Sequence, residues 1–144
     1  MADQDRKTLA LEVCTLDRAP ARLDVAEVTA PGVMGMFVVL PGHAPLLSNL
    51  EIGPLTALLP DGAKVSFAIN GGFAQVLDDH VLILAKTAET ESDIDVERAE
   101  RARNRAEERI KKPSESIDVA RAEAALKRAL TRLTVAGAPS HATP

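Results

Sequence analysis

The sequence predicts an all-β N-terminal sandwich of about ten strands followed by a C-terminal two-helix antiparallel hairpin. Three observations lead there. Short apolar stretches punctuated by Gly, Pro, Asn and Asp recur through residues 1–88, the pattern of an antiparallel sandwich or barrel. From about Ser92 the turn residues give way to Ala, Glu and Arg. Within that second region a seven-residue phrase occurs nearly twice, as IDVERAE at 94–100 and IDVARAE at 117–123, with Lys111-Lys112-Pro113-Ser114 between the copies. Two similar helices joined by a short break fold back on each other. The expected organisation is a sandwich domain over 1–88, a regulatory helical hairpin over 89–137, and a disordered tail over 138–144, small and polar with two prolines.

Leu9, Leu11 and Val13 alternate with Ala10, Glu12 and Cys14, a period-two strand signal. Leu23, Val25 and Val28 form a second apolar stretch, closed by Pro31-Gly32. The run 36–40 ends at Pro41-Gly42, and the run 55–59 ends at Pro60-Asp61-Gly62, a strong turn signal. Val65, Phe67 and Ile69 alternate and stop at Asn70-Gly71-Gly72. The stretch 73–77 leads to Asp78-Asp79, and 81–85 is the last apolar run.

Ser92 with Asp95 three positions later reads as a capping pair for the first helix, expected over 94–112 and stopped by Pro113. Its inward stripe is Ala99, Ala102, Ala106 and Ile110, which buries little area. The second helix is expected over 116–137, with a stripe of Val119, Ala122, Leu126, Ala129 or Leu130, and Leu133.

Composition narrows the function. Residues 93–133 carry 11 Lys/Arg against 9 Asp/Glu, and the remainder carries 6 against 12. With neither a basic surplus nor any Trp or Tyr, a nucleic-acid partner is not expected. Cys14 is alone, so no disulfide framework or thiolate cluster is expected. Residues 1–8 lack the apolar core of an export signal, and no run approaches a membrane span of ~18 residues. Membrane association is therefore expected only through a partner. His43 and His80 have no companion at ligand spacing, and no GxSxG elbow or GxxxxGK[ST] loop is present. No metal site and no catalytic residue is expected.

The arginines are the remaining chemistry. Arg98 and Arg105 are seven apart on the first helix; Arg128 and Arg132 are four apart on the second, with Arg121 seven before Arg128. A folded hairpin would bring these rows together, and a phosphate chain suits clustered guanidinium groups. Glu89 and Asp95, beside the start of the first helix, would accept from a ribose hydroxyl or adenine amino group, or hold the arginines. Spacing leaves a second reading open. Glu97 precedes Arg101 by four and Glu123 precedes Lys127 by four, the orientation that supports a solvated helix face.

Several segments together resemble a known family. Residues 41–47, PGHAPLL, resemble a signature of the epsilon subunit of bacterial F-type ATP synthase, and Asn70-Gly71-Gly72-Phe73 and the strand 81–85 match its later motifs. The resemblance runs from about Leu9 to Leu133. It departs at 35–40, where the family's GELGILP-like run is replaced by Gly35-Met36-Phe37-Val38-Val39-Leu40. It implies a non-catalytic central-stalk subunit, peripheral on the cytoplasmic side of the bacterial inner membrane. The implied partners are the gamma subunit, the c-subunit ring and the catalytic alpha and beta subunits. The implied function is to couple proton-driven rotation to ATP synthesis and to inhibit ATP hydrolysis through a two-state hairpin.

Some members bind ATP on the folded hairpin through an [IL]DxxRA motif, which 94–99 matches. By that resemblance Glu89, Asp95, Arg98, Arg105, Arg128 and Arg132 are the expected ATP contacts, with ATP a regulatory ligand and no cofactor required. The second copy, with Asp118 and Arg121, is not assigned to ATP. The alternative is a free-standing ATP-sensing sandwich and hairpin without a rotor.

Overall fold

The computed structural model describes residues 7–112, 114–116 and 118–137. The expected stop at Pro113 and the expected disorder of 138–144 lie outside the described residues. Eight strands are followed by two helices: β1 (Leu9–Cys14), β2 (Ala21–Val25), β3 (Glu27–Gly32), β4 (Gly35–Val39), β5 (Leu46–Leu58), β6 (Lys64–Leu77), β7 (His80–Ala85), β8 (Ala88–Thr90), α1 (Val96–Lys111) and α2 (Val119–Val135). A 3₁₀ turn, Glu91–Asp93, joins β8 to the hairpin.

The sheet runs β2-β1-β7-β6-β5-β3-β4, with β8 paired to β6. Only β1 and β7 pair in parallel. Alternation does what it predicts: Leu9, Leu11 and Val13 are buried, and their neighbours are only partly so. With Val28, Val39, Leu55, Ile69, Val76 and Ile83 they form one core drawn from every region of the sheet. Burial of that apolar surface is the main stabilising term of the domain.

Two long strands replace several short ones. β5 has 13 residues and β6 has 14. The first half of β6 holds β8, with Phe67 opposite Thr90, and the second half holds β7, with Phe73 opposite Leu84. The change of partner falls at Asn70-Gly71-Gly72, expected to end a strand. Instead the two glycines bend one, at φ 70° and 145°. A Cβ at Gly72 would sit 2.0 Å from the Leu84 carbonyl oxygen, so only glycine allows so close an approach. Counted as halves on either side of the bend, β5 and β6 make the ten strands expected. The sheet also continues through Thr90, past the division expected at residue 88.

α2 lies against β5 and β6 and carries α1 on its other contacts. The expected stripe holds at Ala122, Ala129 and Leu133, all buried, with Leu126 partly so; of the pair Ala129 and Leu130 the alanine faces inward, and Val119 is exposed. Thr131 and Val135 are buried as well, because α2 must satisfy both the sheet and α1. In α1 only Ala99 and Ala106 are buried, while Ala102 and Ile110 are partly so.

Candidate functional site

The helix starts explain the repeated phrase. In both copies the Asp is the N-cap: Asp95 Oδ1 accepts the Arg98 N–H at 3.0 Å, and Asp118 Oδ1 accepts the Arg121 N–H at 3.1 Å. Asp-x-x-Arg is the spacing between an N-cap and the amide three residues on. The expected Ser92–Asp95 capping pair does not form. Ser92 belongs to the 3₁₀ turn and bonds the Thr90 hydroxyl, 3.0 Å away. Asp95→Ala and Asp118→Ala should each destabilise their own helix by about 1 kcal/mol. Hydrogen exchange of the capped amides would read this, and unchanged protection of the Arg98 amide in Asp95→Ala or of the Arg121 amide in Asp118→Ala would contradict it.

A cleft of about 340 Å³ opens between the hairpin and the end of the sheet. Glu89 comes from β8, Asp93 from the 3₁₀ turn, Asp95, Arg98 and Arg105 from α1 and its cap, and Arg132 from α2. Five of the six expected residues are thus together. Arg128 is the exception. One turn before Arg132, it lines a neighbouring crevice of about 10 Å³ that shares Glu89 and Arg132 with the cleft.

The charges in the cleft are unequally matched. Glu89 Oε2 accepts from Arg132 Nε at 2.6 Å, with both side chains about a third exposed or less. Asp93 Oδ2 accepts from Arg18 Nη1 at 2.8 Å, and from the Thr90 N–H and hydroxyl at 2.9 Å each. Asp95 is spent on its cap. Arg98 and Arg105 have no carboxylate within 4.0 Å among the described residues. Each carboxylate is hydrogen-bonded while the Arg98 and Arg105 guanidinium groups have no carboxylate partner among the described residues, an arrangement that can receive an anion.

Sequence reasoning missed Arg18 and Asp93, which are 75 positions apart. It also placed Lys127 with Glu123, whereas Lys127 Nζ reaches Glu51 Oε2 at 2.5 Å. Glu51 sits where the β5–β6 ladder is interrupted, between the Leu50–Gly72 and Ile52–Asn70 pairs, which frees it to meet the helix. The Glu97–Arg101 pair forms as expected, at 3.7 Å. His43 Nδ1 lies 2.6 Å from the Ala44 carbonyl oxygen, and no group of His, Cys, Asp and Glu among the described residues could hold a metal.

Hydrogen bonds from Thr90 and Arg18 hold the Asp93 carboxyl down to about pKa 2, from an ordinary 3.8. Because the folded value lies below the unfolded one, the stabilisation is present above about pH 4 and is lost as pH falls towards 2. Asp93→Asn should therefore flatten the acid-unfolding profile in that window. An unchanged profile would contradict the assignment.

Two family models cover the chain. One, described as ATP synthase, Delta/Epsilon chain, beta-sandwich domain, matches residues 8–91; the other, the long alpha-helix domain of the same chain, matches 92–137. The ATP synthase epsilon chain of Moorella thermoacetica is 47% identical over 91% of this chain and 98% of its own length. That of Pelotomaculum thermopropionicum is 49% identical over 91% and 97%. Among solved structures, a chain of the Euglena gracilis mitochondrial ATP synthase aligns with a TM-score of 0.73 at 29% identity, covering 83% of this chain and 76% of its own. A chain of the Tetrahymena thermophila central stalk and c-ring shares the fold, with a TM-score of 0.54 at 17% identity over 93% and 97%.

Proposed function

This chain belongs to the delta/epsilon family of ATP synthase subunits, and we propose that its hairpin is an ATP-responsive switch on the central stalk. As a non-catalytic epsilon subunit it carries rotation between the c-ring and the catalytic head, bound to gamma. It sits on the membrane through that assembly, and no helix among the described residues is long and apolar enough to cross a membrane. Docked, the hairpin leaves hydrolysis free. Released, it extends towards the alpha and beta subunits and restrains hydrolysis.

The observation that carries the ATP reading is the cleft. Arg98 and Arg105 of α1 and Arg132 of α2 face one space, while each carboxylate there already has a partner. Triphosphate held by arginines of both helices would tie them together and favour the docked state. Arg132 would exchange part of its bond with Glu89 for phosphate, and Glu89 would be free to accept from the ribose or base. Arg128 would join only by turning from its crevice. A rotor role, rather than a free-standing sensor, is supported by the exposed Leu47, Phe73 and Leu84. Phe73 and Leu84 are cross-strand partners, and Leu47 is on the adjoining strand. Exposed apolar side chains gathered on one sheet suit a protein partner.

Losing one phosphate-bound guanidinium should cost on the order of 1.5–3 kcal/mol, the value of a charge-assisted hydrogen bond. Arg98→Ala and Arg132→Ala should each weaken ATP binding about tenfold or more, while Asp118→Ala should change it little. Calorimetric titration of the full chain tests this. Binding weakened as much by Asp118→Ala as by Arg98→Ala would place the site at the other end of the hairpin.

A further inference from the structure

We propose that Arg18 clamps the root of the hairpin to the sandwich, so that the hairpin swings about Ile94 while the segment through Asp93 stays fixed. The proposal rests on the two-state reading above. Its basis is a closed set of bonds on one oxygen. Asp93 Oδ2 takes the Arg18 guanidinium, the Thr90 N–H and the Thr90 hydroxyl, all within 2.9 Å. Thr90 is the last residue of β8, paired with Phe67 of β6. Arg18 lies in the loop between β1 and β2. Two separate parts of the sandwich thus grip Asp93 at once, the stronger for one partner being a cation and the other a charged acceptor.

Immediately beyond, a second closed unit begins. Asp95 caps α1 by accepting the Arg98 N–H, so α1 moves as a body from Asp95 onward. Ile94 stands between the two units. Its backbone is extended, at φ −90° and ψ 122°, and its N–H reaches the Glu91 carbonyl at only 3.3 Å. One residue between two rigid caps is enough to absorb a hinge rotation. The contacts that hold the hairpin down, Lys127–Glu51 and Arg132–Glu89, lie out on α2 and must part in any release. The Arg18–Asp93 pair need not part. It differs from them in kind: it fixes where the hairpin turns and leaves the docked and released populations to the others.

Residue-resolved hydrogen exchange on the full chain separates these roles. In the wild type the amides of α1 and α2 should exchange together by hairpin release, and Thr90, whose N–H is held by Asp93, should exchange more slowly, at the rate of β6 and β8. Arg18→Ala should speed Thr90 about two- to fivefold, the scale of a partly exposed ion pair, and leave the helical amides unchanged. Arg18→Lys should restore most of the protection. The clamp is wrong if Thr90 exchanges with the hairpin in the wild type, or if Arg18→Ala leaves it unchanged. Helical amides as slow as those of the sheet would overturn the two-state reading instead, with the Arg18→Ala comparison still deciding the clamp.

Discussion

Truncating the chain after Thr90 is expected to leave a folded sandwich that still binds gamma and to abolish the restraint on ATP hydrolysis. The core of the sandwich is drawn entirely from strands β1 to β8 and includes no residue of either helix. The helices contribute a separate interface, through α2 on β5 and β6. The cut must follow Thr90 rather than Ala88, because Ala88–Thr90 closes the sheet against β6. Removing the hairpin uncovers part of β5 and β6, so thermal stability should fall while the cooperative transition remains. Circular dichroism, gamma binding and hydrolysis rates of the reconstituted enzyme together check this. An unfolded fragment would mean that the hairpin completes the sandwich core. Hydrolysis still restrained without the hairpin would remove the hairpin from the inhibitory mechanism.

Leu133→Ala should release the hairpin from the sandwich. Leu133 is the largest side chain of either helix that is fully buried. Replacing such a leucine costs about 2–5 kcal/mol, through lost transfer energy and the cavity left behind. Little else compensates. The buried residues of α1 are alanines, and the ion pairs Lys127–Glu51 and Arg132–Glu89 are partly exposed, worth about 0–1 kcal/mol each. A loss of even about 2 kcal/mol moves the docking equilibrium roughly thirtyfold. The assembled enzyme should then hydrolyse ATP more slowly, and the isolated chain should bind ATP more weakly although no cleft residue has changed. Unaltered exchange of the α2 amides in this variant would show that the hairpin docks by other contacts. The poverty of α1 in large side chains suits the proposed switch. A switch needs states separated by only a few kcal/mol, and a leucine-rich α1 would not release.

The architecture was legible because alternation in β1 and in the first half of β6 and the alanine-rich helices each follow a clear period. The first half of β5 was not: Ser48, Asn49 and Glu51 on one side of Gly53-Pro54 look like loop, yet pairing with β6 on one side and β3 on the other supplies what their propensities lack. The Asn70-Gly71-Gly72 signal was read as an end when it is a bend, since glycine marks the need for an unusual backbone without saying whether the strand resumes. In the cleft, helical spacing gathered Arg98, Arg105 and Arg132 correctly because spacing fixes the face of a helix. It could not fix how one helix rotates against the other, and that rotation sends Arg128 to the neighbouring crevice. Arg18 left no local signal at all, because its partner arrives from the far end of the sandwich sequence.

In the proposed switch, ATP ties the two helices together and favours the docked hairpin. Hydrogen exchange of the full chain with and without saturating ATP tests it most directly. The amides of both α1 and α2 should gain protection while those of β1 and β7 do not change. Helical amides that are indifferent to millimolar ATP, or that lose protection in its presence, would contradict it.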